Sequence, residues 1–287
     1  MNAKKLKGLA LLMRPNAWPV TVFSLSIGAI LAIYPSKPSF SQLETLFFLC
    51  ITFACFIASG LYVLNDVFDR NLDRKNPIKR KRPIASGAVS VREGLAFSLC
   101  LLAIGLFLAL EISLFHLLLG LVLVGLQLAY SVPPVRLKET SIDFLFSGPL
   151  NHLVRIIAAW VLFKPLAQIP LLVSTGLFLL YCTAYIYYKL IDKKFIPLKS
   201  VAKRKNIIPA INCASGFGIL LIIASVLLGE VTPIFISVPA VLIAVWALQL
   251  IIPATKKIPF LHSLVYVYGP TGLTFATISL WVLAMVF

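Results

Sequence analysis

The chain has 287 residues, of which 60% are hydrophobic and only 13% are charged, and its mean hydropathy is +0.98. A soluble domain of this length needs far more polar surface to stay dispersed, so the composition excludes a soluble globular protein and indicates a polytopic membrane protein. The formal net charge of +16 would suggest a nucleic-acid partner in a soluble chain, but here the distribution of the charges gives another explanation.

Apolar segments of the length that a bilayer crossing requires, about 20 residues, recur along the whole chain. We expect about nine spans, near residues 17–35, 43–64, 93–112, 114–130, 142–163, 168–190, 206–228, 232–253 and 262–286. The connections are short except for 65–92 and 191–205, which are polar and basic. The sequence therefore predicts a single domain over residues 1–287, an all-α bundle of about nine transmembrane helices.

Lysine and arginine residues are unevenly distributed between the two sides of the predicted bundle. They concentrate in the N-terminal segment and in the loops after the second, fourth, sixth and eighth spans, whereas the loops of the other side carry Lys37 and Lys164. By the positive-inside rule this distribution predicts a cytoplasmic N-terminus. The positive net charge is therefore explained by basic residues on the cytoplasmic side of a protein embedded in membrane lipids, and we expect no nucleic-acid partner. The expected location is a bacterial or archaeal cytoplasmic membrane.

Three of the ten acidic residues lie together directly after the second predicted span. In a helix the side chains of Asp66, Asp69 and Asp73 fall within about 60° of one another, so one helical face presents three carboxylates at the membrane border. Their mutual repulsion must be offset, either by salt bridges to the basic run that follows or by a bound cation. Mg²⁺ prefers oxygen ligands and is commonly completed by substrate phosphates, so we favour a magnesium site beside which Asn65 binds substrate or orients a ligand.

Cationic side chains follow this acidic motif on a restricted backbone. The segment 76–87 contains two prolines, and its Lys79 and Arg82 are suited to bind phosphate, the arginine in bidentate fashion and the lysine as a point charge. Carboxylates that can bind a metal thus lie next to cations that can bind phosphate. Together they indicate a metal–diphosphate site facing the cytoplasm.

An arginine inside the fifth predicted span is a further candidate. Arg155 is costly in lipid unless it faces a cavity or a partner. Asn151 lies four residues earlier, so the two side chains share a polar helical face. We expect this face to line the active cavity, and pairing within the bundle is the alternative.

Three motifs resemble those of the UbiA superfamily of intramembrane prenyltransferases. The segment 65–73 is similar to the family's NDxxDxxxD signature, 82–87 to its RPIxSG run, and 130–138 to its YSxPPxRLK loop. The resemblance extends over essentially the whole chain, and three motifs at these separations make it specific.

The resemblance implies transfer of a prenyl group from a prenyl diphosphate to a lipophilic acceptor, with Mg²⁺ as cofactor. The metal and the cations would stabilise the leaving diphosphate while the allylic C–O bond ionises, and apolar walls would exclude water. The implied catalytic residues are Asn65, Asp66, Asp69 and Asp73, of which the three aspartates hold the metal. The implied substrate-binding residues are Lys79, Arg82, Tyr130, Arg136, Lys138, Asn151, Arg155, Lys189, Asp192 and Lys193.

The second acidic motif of the family, DxxxD or DxxDD after the sixth span, is altered here. Aligned on Lys199-Ser200, the two acidic positions are occupied by Lys189 and Lys193, and Asp192 alone remains acidic. Either the lysines contact the diphosphate directly, in place of a second metal ion, or the motif is degenerate and they only extend toward the interface. The sequence favours neither alternative.

Other functions stay open at this point. The segment 73–83 also resembles the phosphoribosyltransferase branch of the family, in which phosphoribosyl diphosphate is the donor and a polyprenyl phosphate the acceptor. A transporter would hold charges inside a bundle too, although it would more often place acids near the bilayer midplane. A non-catalytic family member would tolerate the two lysines. Prenyl transfer is favoured because the Pro133-Pro134 loop resembles that of prenyltransferases.

Overall fold

The computed structural model describes residues 3–140, 142–146, 148–191 and 204–233, and within them every regular element is helical. This agrees with the all-α prediction. The last predicted span, 262–286, and nearly all of the one at 232–253 lie outside the described residues.

Eleven α-helices follow one another in the described part of the chain, several of them joined by short 3₁₀ turns. Their bounds are α1 (Ala3–Leu12), α2 (Trp18–Ile33), α3 (Phe40–Cys50), α4 (Ser59–Lys75), α5 (Pro83–Ser86), α6 (Val91–Ile112), α7 (Leu114–Ser131), α8 (Asp143–Phe146), α9 (Pro149–Trp160), α10 (Leu171–Ile191) and α11 (Arg204–Leu227). A π-helical segment, Ile51–Ala58, joins α3 to α4 without a break.

Four helical segments of the described residues are long and apolar enough to cross a membrane, judged by length and composition. They are Lys5–Ile33, Phe40–Lys75, Val91–Ile112 and Leu114–Ser131. They correspond to the first four predicted spans. Shorter apolar helices at Leu171–Thr183 and Asn212–Leu227 fall within the sixth and seventh.

The fifth predicted span differs from its prediction. In place of one helix over 142–163, the structure has the four-residue α8 and the 12-residue α9, which begins at Pro149. Proline has no N–H to donate and is favoured in the first turn of a helix, so the chain starts a new helix there. At 1.5 Å per residue α9 is about 18 Å long, well short of the roughly 30 Å of a bilayer core.

Small residues bring the helices of the bundle close together. α2 packs on α9, and a Cβ added to Gly28 would lie 2.1 Å from the carbonyl oxygen of Ile156. α4 packs on α6, where the Ser98 hydroxyl donates a hydrogen bond of 2.7 Å to the carbonyl of Gly60. Close backbone contacts of this kind hold membrane helices together, because apolar side chains gain little by leaving lipid for one another.

One end of the bundle gathers the polar segments. α1 contacts α4 and α5, and the turn that follows α7 lies against the C-terminal part of α4 through contacts with Asp69. The aspartates of α4 therefore lie where these segments meet, and we call this the border end.

Candidate active site

The acidic motif occupies the last three turns of α4. Asp66 and Asp73 are buried, with exposures of 2% and 3%, and Asp69 is partly buried. The helix ends with Arg74 and Lys75, whose charges suit the negative end of the helix dipole. Buried carboxylates require cationic or hydrogen-bonding partners, and the structure supplies them from three separate segments.

Asp66 and Asp73 share one arginine. The Nη1 atom of Arg82 lies 2.9 Å from Oδ1 of Asp66 and 2.8 Å from Oδ2 of Asp73. Arg82 directly precedes Pro83, and its extended backbone (φ −62°, ψ 146°) is the one that a following proline favours. Arg74 holds this segment against α4, because its Nε donates a hydrogen bond of 3.0 Å to the carbonyl of Ala85.

Asp69 has different partners, from the turn that follows α7. Its Oδ1 accepts a hydrogen bond from Lys138 and lies 3.4 Å from Nη2 of Arg136. Burial lowers the pKa of the Lys138 ammonium, and the hydrogen bond and charge of Asp69 act in the opposite direction. Arg136 also pairs with Glu139 in the same turn.

The three carboxylates therefore form two groups, although they share one broad helical face as expected. Asp66 and Asp73 differ by about 20° around the helix, whereas Asp69 is rotated by about 60° from Asp66. Within the described residues, no three His, Cys, Asp or Glu side chains lie close enough together to hold a metal ion as a group. The salt bridges considered as an alternative in the sequence are present here, and several of them come from outside the adjacent basic run.

Arg14 is a border residue that the sequence analysis missed. Its Nη2 donates to Oδ1 of Asp66, the same oxygen that Arg82 contacts. The signal was an arginine directly before Pro15 at the end of an apolar run. An isolated cation at such a position usually only sets topology, so the pattern did not distinguish it.

Arg14 and Arg136 share an uncommon backbone conformation. Their φ values are 51° and 35°, and within the described residues they are the non-glycine residues with positive φ. Side chains with a Cβ rarely adopt this region, and such strain clusters at functional sites. Both arginines reach an aspartate of α4. Together these residues form the border cluster: Arg14, Asp66, Asp69, Asp73, Arg82, Arg136 and Lys138.

Asn65 connects α4 to α7. Its Oδ1 accepts a hydrogen bond of 2.9 Å from the Ser131 hydroxyl, which in turn accepts one of 2.7 Å from Nε2 of Gln127. One residue before Ser131, the Tyr130 hydroxyl lies near Tyr185 and Asp69. Asn65 thus positions the acidic helix in this structure, and Tyr130 lies beside the border cluster.

Arg155 and Asn151 are buried inside the bundle, with exposures of 6% and 9%. Arg155 lies near the hydroxyls of Tyr62 and Tyr181. His152 stacks on Tyr181, with ring centroids 4.1 Å apart. We call these five residues the interior cluster. Among the described residues, no carboxylate forms an ion pair with Arg155.

The remaining predicted substrate-binding residues lie apart from these clusters or outside the described part. Lys79 is exposed, and its backbone N–H donates a hydrogen bond of 3.0 Å to Oδ1 of Asn76. Lys189 belongs to α10, but its side chain is outside the described part of the chain, as are Asp192 and Lys193. The altered second motif stays a prediction.

The donor set of the border cluster suits a divalent cation. One Arg82 nitrogen lies within 3 Å of oxygens from Asp66 and Asp73, so two carboxylates converge on a single cationic position. Carboxylate oxygens are ligands that Mg²⁺ prefers, at about 2.0–2.1 Å. The surrounding arginines and lysine are groups that bind phosphate oxygens.

The sequence matches a known family. A model of the UbiA prenyltransferase family matches residues 21–287. The decaprenyl-phosphate phosphoribosyltransferase of Corynebacterium glutamicum is 38% identical over 146 residues, which are 49% of this chain and 42% of that protein. The digeranylgeranylglyceryl phosphate synthase of Saccharolobus solfataricus is 34% identical over 101 residues, 35% of each chain. Both matches span less than half of the relative's length.

Solved structures show the same fold. A UbiA homolog from Archaeoglobus fulgidus, bound to GPP and Mg²⁺, superposes with a TM-score of 0.76 at 20% identity, covering 98% of this chain and 100% of that one. The apo structure of a UbiA homolog from Aeropyrum pernix K1 gives a TM-score of 0.63 at 20% identity, covering 93% and 97%. At this level of identity the likeness establishes the fold.

Proposed function

Because the chain belongs to the UbiA prenyltransferase family, we propose that it transfers a prenyl group from a prenyl diphosphate to a lipophilic acceptor within the membrane. The observation that carries the proposal is the convergence of Asp66 and Asp73 on one cationic position. A diphosphate site needs carboxylates that hold a metal and cations that bind phosphate beside them, and the border cluster contains both kinds of group.

Asp66 and Asp73 are the proposed metal ligands, and Asp69 is the proposed third aspartate of the site. The homolog from Archaeoglobus fulgidus is described as bound to GPP and Mg²⁺, which supports the same cofactor here. When bound, Mg²⁺ supplies positive charge that stabilises the developing charge on the leaving diphosphate. Asn65 then acts mainly by holding α4 against α7 through Ser131.

Arg82 has two tasks in this proposal. In the described structure it neutralises Asp66 and Asp73 through a single nitrogen. With a metal held by those carboxylates, its guanidinium would be free to bind phosphate oxygens, for which its planar donors are suited. Arg14 shares the Asp66 oxygen and would be free in the same way.

The reaction balances with groups that the chain provides. The bond between the allylic carbon and the diphosphate oxygen breaks, and its electron pair leaves with the diphosphate. Arg136 and Lys138 stabilise that charge from the side of Asp69. A bond forms between the allylic carbon and a nucleophilic atom of the acceptor, which gives up its proton to the released diphosphate. The apolar interior of the bundle keeps water away from the electron-deficient carbon.

We also propose a single domain with nine spans, a cytoplasmic N-terminus and a cytoplasm-facing site in a bacterial or archaeal membrane. The uneven distribution of basic residues along the sequence supports this orientation. In the structure, Arg14, Arg82, Arg136 and Lys138 lie at the border end, which the positive-inside rule assigns to the cytoplasm.

Phosphoribosyl transfer is a second candidate. It is favoured by the identity of 38% over 146 residues to the Corynebacterium glutamicum enzyme named for that reaction. In this case phosphoribosyl diphosphate loses diphosphate, and the phosphate oxygen of a polyprenyl phosphate bonds to the ribosyl carbon. More anionic substrates would also suit Lys189 and Lys193, where other family members have acids.

A donor panel tests the two candidates together. The purified chain in nanodiscs with Mg²⁺ is given prenyl diphosphates of several lengths or phosphoribosyl diphosphate, each with extracted lipids as acceptors. We expect a prenylated lipid by mass spectrometry, dependent on Mg²⁺, absent in Asp66→Ala and Asp69→Ala, and preserved in Glu111→Gln. A product from phosphoribosyl diphosphate alone would favour the second candidate. Solute flux without any covalent product would contradict both and indicate a transporter.

Exchanging the two lysines addresses the altered second motif. If Lys189 and Lys193 bind phosphate, the double change to Asp lowers donor affinity, because two attractive charges become repulsive. Unchanged donor affinity would show that the lysines are not phosphate ligands.

A further inference from the structure

The Ser59 hydroxyl joins the first residue of α4 to the segment that follows α1. Ser59 is fully buried, and its hydroxyl lies 2.9 Å from the carbonyl oxygen of Met13 and 3.3 Å from that of Ala54. Because a hydroxyl has one proton to donate, the nearer Met13 carbonyl is the better acceptor. The same hydroxyl accepts a hydrogen bond of 2.9 Å from the indole N–H of Trp18. It is therefore held by two residues that flank Arg14 in the sequence.

These contacts fix the backbone around Arg14. The carbonyl of Met13 and the N–H of Arg14 belong to one peptide group, which is planar. The carbonyl accepts a hydrogen bond from Ser59, and the N–H donates one of 3.2 Å to the carbonyl of Leu11. On the other side, the Arg14 carbonyl accepts a hydrogen bond of 2.8 Å from the N–H of Ala17. The peptide groups before and after Arg14 are thus both held.

Arg14 needs this support because its backbone conformation is unfavourable. At φ 51° and ψ 61° it is left-handed, which is costly for a residue that carries a Cβ. The following Pro15 favours an extended backbone at this position instead. The local sequence therefore opposes the observed conformation, and the hydrogen bond that opposes its relaxation comes from Ser59, which is 46 positions away from Met13.

The same face of α4 also holds the Arg14 side chain. Tyr62 and Asp66 follow Ser59 by three and seven residues, so the three side chains lie within about 60° around the helix. The guanidinium carbon of Arg14 lies 5.3 Å from the centre of the Tyr62 ring, and its Nη2 donates to Oδ1 of Asp66. Ser59 therefore sets the backbone from which the side chain reaches Asp66.

We propose that Ser59 and Trp18 are positioning residues of the active site, which hold the turn at Arg14 so that its guanidinium stands beside Asp66, ready to bind the donor diphosphate. The inference rests on the proposed function, in which Arg14 is a phosphate-binding group. Neither Ser59 nor Trp18 touches the substrate. Without their hydrogen bonds the backbone of Arg14 relaxes and the guanidinium withdraws from Asp66. A metal then loses a competitor at Asp66, and the donor loses a cation.

A labelling experiment tests the position of Arg14 without metal, donor or turnover. The full chain in nanodiscs with EDTA is treated with phenylglyoxal, which modifies accessible arginine side chains, and the modified sites are mapped by peptide mass spectrometry. We expect Ser59→Ala to raise the rate at Arg14 about threefold to tenfold, the equivalent of one lost hydrogen bond. Trp18→Phe keeps an aromatic ring and removes the N–H, so it should act in the same direction. The rate at Arg136 is the internal reference and should stay unchanged.

Ser98→Ala is the matched control. Ser98 is also fully buried, and its hydroxyl donates a hydrogen bond of 2.7 Å to the carbonyl of Gly60, the residue next to Ser59 on α4. This variant removes a buried hydroxyl that holds α4 but leaves the turn at Arg14 intact, so labelling of Arg14 should not change. Equal increases in Ser98→Ala and Ser59→Ala would attribute the effect to a loosened α4 and would overturn the inference. Unchanged labelling in both Ser59→Ala and Trp18→Phe would overturn it as well.

The affinities for metal and donor distinguish positioning from damage to the fold. In Ser59→Ala, Mn²⁺ should bind about threefold more tightly in the absence of donor, whereas the KM for prenyl diphosphate should rise about threefold to tenfold. Damage to the fold would weaken both. Arg14→Gln should change both quantities in the same directions, and the double variant should show no more than Arg14→Gln alone, because Ser59 acts through Arg14.

Additive changes in the double variant would overturn the inference. Absence of prenyl transfer from every variant, together with the expected labelling and Mn²⁺ affinities, would leave the positioning of Arg14 intact and would contradict the proposed function instead.

Discussion

The border cluster and the interior cluster are both polar, but their charged groups have different kinds of partner. Each aspartate of the border cluster is paired with at least one cation, and Asp66 and Asp73 compete for the same Arg82 nitrogen. In the interior cluster, by contrast, Arg155 lies near two tyrosine hydroxyls and forms an ion pair with no carboxylate of the described residues. The first arrangement can exchange one cation for another, whereas the second lacks an anion.

This difference suggests a division of labour. A site for metal and diphosphate has to accept and release several charges in each cycle, so exchangeable salt bridges suit it. The interior cluster has no such salt bridges among the described residues, and rigid packing holds its side chains in place instead. The stacked His152 and Tyr181 rings and the close approach of α2 to α9 provide that rigidity.

The largest expected effect comes from the border cluster. Asp66→Asn removes a carboxylate that serves both Arg14 and Arg82, and with it a proposed metal ligand. We expect prenyl transfer to fall by about 10²–10³-fold or more, the usual loss when one electrostatic group of an active site is removed. Product formation with a radiolabelled prenyl diphosphate measures it.

Glu111→Gln is the matched control for Asp66→Asn, since it removes one negative charge in the last turn of α6, away from the border cluster. It should leave transfer unchanged. Equal losses in the two variants would mean that net charge or folding matters rather than the border cluster.

Much of the border cluster could be predicted from local sequence. The spacing of Asp66, Asp69 and Asp73 predicts one helical face at the end of a span, and α4 has them there. The partners could not be predicted in the same way. Arg14 and Arg136 are 52 and 67 positions from the aspartates they contact, and their positive φ values depend on the folded environment. Local periodicity carries no information on such contacts.

The interior cluster was predictable only in part. Arg155 and Asn151 stood out because polar residues in an apolar segment are costly. Hydropathy did not show that the segment is broken before Pro149, because a window of apolar residues averages over Gly148 and Pro149. Tyr62 belongs to α4, and its proximity to Arg155 of α9 depends on the tertiary fold.

A glycine tests whether the interior cluster depends on the approach of α2 to α9. In Gly28→Ala the new Cβ meets the Ile156 carbonyl at 2.1 Å, so the helices must separate. We expect a loss of about 1–3 kcal/mol in stability, typical of overpacking. A thermal melt measures the loss.

Gly125→Ala is the control for this change. A Cβ at Gly125 meets no atom within 4 Å, and alanine is favoured over glycine inside a helix by about 0.5–1 kcal/mol, so the melting temperature should hold or rise slightly. If Gly28→Ala also lowered Mn²⁺ affinity at the border cluster, the two clusters would not be independent.

Arg82 tests the idea that border cations exchange. Arg82→Gln removes the cation that occupies Asp66 and Asp73, so Mn²⁺ should bind about tenfold more tightly in the absence of donor, as one competing charge interaction of roughly 1.4 kcal/mol is lost. The affinity for prenyl diphosphate should fall, because a phosphate-binding group is missing. Electron paramagnetic resonance of free Mn²⁺ and a radioligand assay measure these opposite changes.

Arg80→Gln makes the same change of charge in the neighbouring turn, on an exposed side chain. An equal gain in Mn²⁺ affinity there would attribute the effect to net charge and would contradict exchange at Asp66 and Asp73.

The smallest effect concerns Asn65, which links the acidic helix to α7. Ser131→Ala removes the donor to Oδ1 of Asn65, a hydrogen bond of 2.9 Å worth about 1 kcal/mol net, so turnover should fall a few-fold with little change in donor KM. If Asn65 acts only by positioning α4, Asn65→Ala should cost about as much, and the double variant no more than either single one. If Asn65 instead binds substrate, Asn65→Ala should lower turnover more than Ser131→Ala does and should also raise donor KM. The two losses of turnover should then add in the double variant. Comparing the four proteins by kcat and KM therefore decides whether the first residue of the acidic motif belongs to the exchangeable charges of the border cluster or to the rigid frame that supports them.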